Sequence, residues 1–207
     1  MFDLDGTLWD SSETVLKTYN QAISAHPTLE QPITVEQLGS TMGLQAKEIG
    51  EKLFPQLDEQ ERMQLLGEVE RKENEQLLLE GGRLYPQLEE VLAELSSSYA
   101  LYIVSNCQEG YIEAFYAYHQ LGKYFKDFEN PGRTGLSKGE NITLVMERNQ
   151  LHSPVYVGDT VGDQKAAQLA GIPFIYAEYG FGEADHFDQK IKHLAELPSA
   201  IKQIEKS

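Results

Sequence analysis

Cysteine, tryptophan and basic residues are scarce in this chain of 207 residues, and no apolar run approaches membrane length. A single cysteine, Cys107, excludes an internal disulfide, so the fold must rest on packing. Cys107 follows an apolar stretch and reads as a small buried residue rather than a reactive thiol. A reducing, cytoplasmic compartment is the expectation. With no apolar stretch near ~20 residues, a membrane span is excluded. The N-terminus shows no basic region ahead of an apolar one, so no signal peptide is expected. The sequon Asn141-Ile142-Thr143 needs a secretory route and is expected to be silent. Lysine and arginine number 17 against 33 acids, a formal net charge of −16. That balance argues against nucleic acid as the main partner and against docking on an anionic membrane. The five histidines show no metal-ligand spacing.

What is present is enough for a packed core, with 41% hydrophobic residues. After Trp9 the periodicity turns helical. Ser11-Ser12-Glu13 reads as a helix start, with Val15, Leu16, Tyr19 and Ile23 at helical spacing. Further helices are predicted over 34–38, 44–53 and 58–79, the last with Met63, Leu66, Val69, Glu73 and Leu77 along one face. Gly81-Gly82 ends this block. Beyond it helices and strands alternate. Strands are predicted over 100–104, 124–128, 154–157 and 173–177, and helices over 88–95, 110–121, 139–148, 161–170 and 197–204. That alternation implies a doubly wound parallel sheet, an α/β Rossmann-like core. Residues 1–11 and 84–207 form the core and residues 12–83 an inserted all-helical domain. Only Met1 and Phe2 precede Asp3, whereas a central strand usually runs ~5–6 residues. Either residues are missing upstream or the first strand is truncated and its neighbours lie unpaired.

Asp3-Leu4-Asp5-Gly6-Thr7 places two carboxylates two residues apart, followed by a glycine and a hydroxyl. Residues two apart in extended chain point the same way, and the carboxyl ends of parallel strands bind ligands. Three further polar sites follow strands: Ser105-Asn106, Lys138, and Gly158-Asp159-Thr160-Val161-Gly162-Asp163. One sheet edge can gather them all. Clustered hard oxygen ligands suit Mg²⁺, which takes carboxylates, waters and substrate phosphate. Asp159 is also placed to cap the helix that starts near Val161.

These four sites, in this order and at these intervals, resemble the haloacid dehalogenase superfamily of phosphohydrolases, over the whole chain. Residues 12–83 then correspond to its type-1 cap. Val157-Gly-Asp-Thr-x-x-Asp163-x-x-Ala-Ala-x-x-Ala-Gly171 and Leu84-Tyr85-Pro86 are similar to the phosphoglycolate phosphatase-like branch. The resemblance implies that Asp3 is a nucleophile forming an aspartyl-phosphate and that Asp5 is the general acid and base. It places Mg²⁺ on Asp3, Asp159 and the backbone carbonyl of Asp5. Thr7, Ser105 with Asn106 beside it, and Lys138 would hold phosphoryl oxygens, Lys138 also neutralising Asp3. Gly6 and Asp163 would support the site, Asp163 by orienting Lys138 or a metal-bound water. The partner implied is a small phosphorylated metabolite.

Asp5 narrows the chemistry. Haloacid dehalogenases lack an acid there, because a leaving halide needs no proton. A phosphatase and a phosphosugar mutase both keep the set, and a non-catalytic phospho-aspartate switch protein is a remoter reading. Lys138-Gly139-Glu140 departs from the branch's Lys-Pro-x-Pro, which weakens phosphoglycolate in particular. Gly135-Leu136-Ser137-Lys138-Gly139 matches an esterase pattern, but it follows loop chemistry at 130–134 rather than a strand. Substrate choice falls to the cap. Trp9, Tyr19, Met42-Gly43-Leu44 and Lys47 are candidates, each weighed against ordinary cap packing. Hinges are expected near Ser11 and Gly81-Gly82.

Overall fold

The computed structural model describes residues 1–206. Chain order begins with β1 (Trp9–Asp10), α1 (Ser12–Ala25), α2 (Val35–Gly39), α3 (Ala46–Leu53) and α4 (Glu59–Glu80). There follow β2 (Arg83–Leu84), α5 (Leu88–Ser96), β3 (Leu101–Val104), α6 (Tyr111–His119), β4 (Phe125–Glu129), α7 (Pro131–Thr134) and α8 (Lys138–Arg148). The chain closes with β5 (Tyr156–Gly158), α9 (Val161–Ala170), β6 (Phe174–Ala177), β7 (Gln189–Ile191) and α10 (Leu197–Ile204).

The core sheet is parallel in every pairing and runs β4-β3-Phe2-β5-β6-β7. Residues 1–3 supply the strand between β3 and β5, and both neighbours are paired with it, contrary to expectation. Phe2 N–H donates to Tyr102 O at 2.9 Å and Phe2 O accepts from Val104 N–H at 2.9 Å. On the other side Asp3 N–H donates to Val157 O at 2.8 Å, and Val157 N–H donates to Met1 O at 2.9 Å. Three residues therefore close the centre of the sheet.

Alternation along the strands sorts the side chains onto two faces. Phe2, Leu101, Ile103, Val157, Ile175 and Ala177 pack with residues of α5, α6 and α10. Met1, Tyr102, Val104, Tyr156, Phe174 and Tyr176 pack with Ile142 and Val145 of α8 and Ala166 and Ala167 of α9. Both faces are covered, which explains why the strands read as continuous apolar runs.

The helices of 12–80 hold a separate core built on Tyr19, Ile23, Leu38, Phe54, Leu65, Leu66 and Val69. Met63, expected on its buried face, is half exposed; Leu65 is buried instead. The cap joins the core through the antiparallel ribbon of β1 and β2, two residues on each side. Two other elements departed from expectation. Residues 131–134 form one helical turn, because Asn130 Oδ1 accepts from Arg133 N–H at 3.0 Å and caps it. β7 escaped notice because Gln189-Lys190-Ile191 is an edge strand with a mostly polar pattern.

Phe2 is 2% exposed and bonds both halves of the sheet. Phe2→Ala is expected to lower the free energy of unfolding by ~3–5 kcal/mol in urea titrations, the usual cost of emptying a buried aromatic position.

Candidate active site

Each reactive side chain stands just beyond a strand or at the start of a helix on one edge of the sheet. Asp3 follows Phe2, Ser105 follows β3 and Asp159 follows β5, while Lys138 opens α8. Capping chemistry fixes the two helices. Ser137 Oγ donates to Glu140 Oε2 at 2.6 Å and caps α8, so its hydroxyl is committed and the esterase pattern has no free nucleophile. Thr160, rather than Asp159, caps α9 through a capping box with Asp163. That box holds Asp163 rigidly: its Oδ2 accepts from Thr160 N–H at 2.9 Å, Thr160 Oγ1 at 2.7 Å and Asp159 N–H at 3.2 Å.

Lys138 Nζ lies 2.6 Å from Asp163 Oδ1 and 3.0 Å from Asp3 Oδ1, with all three side chains buried. The Asp163 contact is an aligned hydrogen bond. The Asp3 contact is off-axis, so Asp3 Oδ1 is buried with an ion-pair neighbour but no hydrogen-bond donor. Burial pushes the Asp3 carboxyl up, the charge of Asp163 adds to this, and Lys138 and Ser105 oppose it. For Lys138 burial works against the ammonium, but Asp163 and Asp3 outweigh it and hold its pKa above the ordinary lysine value.

Asp159 is wedged between two glycines. A Cβ on Gly6, whose φ is +77°, or on Gly180 would collide with its side chain. Its Oδ2 accepts from Phe181 N–H at 2.7 Å and its Oδ1 from Thr7 Oγ1 at 3.3 Å. Thr7 is fully buried with its hydroxyl on Asp159. One carboxylate oxygen each from Asp3, Asp159 and Asp163 lies within 4.8 Å of the other two. This all-oxygen set suits a hard divalent cation. Burial, then Asp163 and Asp3, drive Asp159 well above the ordinary carboxyl range, a crowding that a dication would relieve. The Asp5 carboxylate is not part of that group.

Asp5 has its own cradle, which sequence reasoning missed. Ser11 Oγ donates to Asp5 Oδ1 at 2.5 Å. The Tyr111 hydroxyl bridges the pair, 3.0 Å from the same oxygen and 2.8 Å from Ser11 Oγ. Ser11, part of the expected helix start, does precede α1, but its hydroxyl makes no capping bond. Asp10 Oδ1 takes over, accepting from Ser12 N–H at 3.1 Å. Burial raises Asp5 to about 6 against these donors, which favour the ionised form. Nothing in the local sequence pointed to Tyr111, 106 residues away.

A cavity of about 330 Å³ runs from Asp3, Asp5, Ser105 and Asn106 up into the cap. Of the cap candidates, Tyr19, the 42–44 turn and Lys47 line it. Trp9 does not; it is buried in the core against Tyr111, Phe115 and His119. Asn106 meets the cap directly, its Nδ2 donating to Gly43 O at 2.8 Å. Cys107 is only half buried and sits on the cavity wall, its thiol pushed up first by burial and then by Asp5 and Asp3. Two further wall residues were not singled out as site candidates, Glu70 and Glu73 of α4. Glu73 was assigned to a packing face. It is buried, accepts from Gln108 Nε2 at 3.1 Å, and is raised to about 8, first by burial and then by Asp5 and Glu70.

A parallel, Rossmann-like core with acids, a hydroxyl and a lysine at its carboxyl edge, under an inserted helical cap, defines a capped hydrolase with a carboxylate-based site. Residues 1–177 match the model of the haloacid dehalogenase-like hydrolases, and the chain belongs to that family. It is 28% identical over 214 residues to a phosphoglycolate phosphatase of Yersinia pseudotuberculosis, covering 97% of this chain and 91% of that protein. It is 29% identical over 210 residues to one of Xanthomonas campestris, covering 97% and 93%. Among solved structures, a haloacid dehalogenase-like family hydrolase from Streptococcus pneumoniae superposes with a TM-score of 0.80 at 22% identity, covering 97% and 96%. CbbY from Rhodobacter sphaeroides, solved in complex with phosphate, superposes with a TM-score of 0.69 at 18% identity, covering 97% of each chain. These likenesses carry the fold.

Glu73 makes stability depend on pH. Its folded pKa of about 8 lies above the ordinary 4.5, so between those values the folded protein keeps a proton that the unfolded chain has released. Stability therefore falls as pH rises through that window. Glu73→Gln is expected to raise unfolding free energy by ~2–4 kcal/mol at pH 8 and to leave it nearly unchanged at pH 4, read by chemical denaturation at both values.

Proposed function

We propose that this hydrolase is a phosphatase that cleaves a small phosphate monoester through a covalent phosphoryl-aspartate. The reading rests on one observation: Asp3 and Asp5 open together onto a cavity, with Lys138 buried behind Asp3. The phosphoglycolate phosphatases among its relatives agree with this chemistry.

Asp3 attacks phosphorus with a carboxylate oxygen. The bond from phosphorus to the ester oxygen breaks, and Asp5 gives its proton to the departing alkoxide. A pKa near 6 lets Asp5 carry that proton close to neutrality and then accept one. In the second half Asp5 takes a proton from water, whose oxygen attacks phosphorus. Asp3 is released with inorganic phosphate. Ser11 and Tyr111 hold Asp5 in place for both transfers. Lys138 offsets the charge of Asp3 and the incoming phosphate, and Ser105 offers a hydroxyl to a phosphoryl oxygen. Thr7 and Asn106 serve less directly, through Asp159 and the cap turn. Asp3, Asp159 and the backbone carbonyl of Asp5 would hold Mg²⁺, with Asp163 behind them. When bound, Mg²⁺ shields phosphate charge that would otherwise repel a carboxylate nucleophile. The cap excludes bulk water from the first step.

Asp3→Asn is expected to lower kcat by ~10³-fold or more, and EDTA to stop turnover until Mg²⁺ is restored. Asp5→Asn is expected to cost ~10²–10⁴-fold on alkyl phosphates and much less on p-nitrophenyl phosphate, whose leaving group needs no proton. Inorganic phosphate should appear one for one with ester lost. An isomerised product that keeps its phosphate would place the chain with the phosphosugar mutases.

A further inference from the structure

The cap end of the cavity is lined with acceptors and has almost no positive charge. Glu70 and Glu73 face it from successive turns of α4, and Asp5 faces it from the core. They are close enough to interact, since Asp5 and Glu70 both raise Glu73 and both glutamates raise Tyr19. A third acceptor is Asn106. Its amide orientation is fixed, because only its NH₂ can donate to Gly43 O, and this leaves Oδ1 buried without a donor. Cations are nearly absent from this wall. Lys138 lies on the far side of Asp3, committed to Asp3 and Asp163. Among the described residues Lys47 is the one basic residue on the cavity wall, and its side chain is 67% exposed with Nζ 3.5 Å from Glu59 Oε1. It sits at the rim, facing out.

We infer that the alcohol released from the phosphate ester presents hydrogen-bond donors, hydroxyl or ammonium groups, to Glu70, Glu73 and Asn106 and carries no carboxylate. This rests on the phosphatase reading and deepens it. A substrate carboxylate reaching the cap would meet the half-buried Glu70, the buried Glu73 and an unpaired amide oxygen. Each of these offers lone pairs, Glu73 even while it keeps its proton, and none brings the positive charge that a desolvated carboxylate needs. A donor-bearing group satisfies the same three oxygens, and buried acceptors left unpaired penalise an analogue that lacks the donors. At about 330 Å³ the cavity fits a compact substrate of this kind. The inference separates this chain from the phosphoglycolate phosphatases it resembles, since phosphoglycolate ends in a carboxylate.

The test is a kcat/KM panel on the purified protein with Mg²⁺, using phosphoglycolate, glycerol phosphate, ethanolamine phosphate and p-nitrophenyl phosphate. Glycerol phosphate or ethanolamine phosphate should exceed phosphoglycolate by about tenfold or more, and whichever leads identifies the donor. In Glu70→Gln, and in Glu73→Gln assayed above pH 8 where the parent Glu73 is ionised, that ratio should shrink several-fold, with phosphoglycolate gaining relative to the others. Turnover of p-nitrophenyl phosphate together with equal or better use of phosphoglycolate overturns this inference alone. So does a pair of variants that scale every substrate by one factor. No turnover of any ester, p-nitrophenyl phosphate included, overturns the phosphatase reading and this inference with it.

Discussion

The ammonium of Lys138 sits 2.6 Å from Asp163 and 3.0 Å from Asp3, closed off from water, and the acidic edge of the sheet is organised around it. Lys138 is the one buried lysine or arginine among the described residues. Its position works against two ordinary preferences. A buried ammonium loses hydration, and a cation at the first residue of a helix opposes the helix dipole. Only the two carboxylates offset both costs, which is why burial does not strip its proton. The converse also holds. Burial and the charge of Asp163 push the Asp3 carboxyl up, and Lys138 and Ser105 limit that rise. An attacking carboxylate and its counter-cation are therefore one unit, and Asp163, saturated with donors from Thr160 and Asp159, is the strut that keeps that unit aligned.

From this unit the other constraints follow. Three carboxylates within 4.8 Å share a single lysine, so burial and the excess negative charge together drive Asp3 and Asp159 toward their protonated forms. Asp159 takes its place only because Gly6 and Gly180 leave room for it. Asp5, by contrast, stands outside the cluster with its own hydroxyl donors. Two carboxylates two residues apart thus fall into different environments, one tied to a lysine and one to a serine and a tyrosine. That separation lets one act as nucleophile while the other exchanges protons.

What could be read from the sequence follows the same lines. Alternating apolar runs and helical periods gave the doubly wound core, and helix α9 falls on its expected residues because Thr160 and Gly171 bracket it. The strand-end acids were legible because short-range spacing places them. Other features depend on long-range meeting and leave no local mark. Tyr111 reaches Asp5 across 106 residues and also donates to Ser11, whose hydroxyl turns to Asp5 instead of capping α1. Trp9 neighbours Asp10 in a ribbon beside the site, but its ring turns into the core against α6. Glu73 was read as part of a packing face, since periodicity reports burial and not what the buried group faces. The first strand is the plainest case: strand length argued against pairing, yet backbone bonds on both sides of residues 1–3 suffice to join the sheet.

The cap and core divide charge between the two ends of one cavity. At the core end sit the lysine and the acids that suit a dication; at the cap end sit Glu70, Glu73 and the free oxygen of Asn106. An anion finds compensation at one end only. A phosphate ester therefore has one favourable orientation, phosphate toward Asp3, without any rigid clamp on its organic half. The same gradient is shaped by the docking of the cap, because Asn106 and the 42–44 turn meet through a single hydrogen bond to Gly43 O. That contact fixes the amide that supplies the third acceptor. Asn106 thus couples one cap–core contact to the polarity of the cavity, beside the Gln108 bonds to Glu73 and Asn74 that also join the two parts.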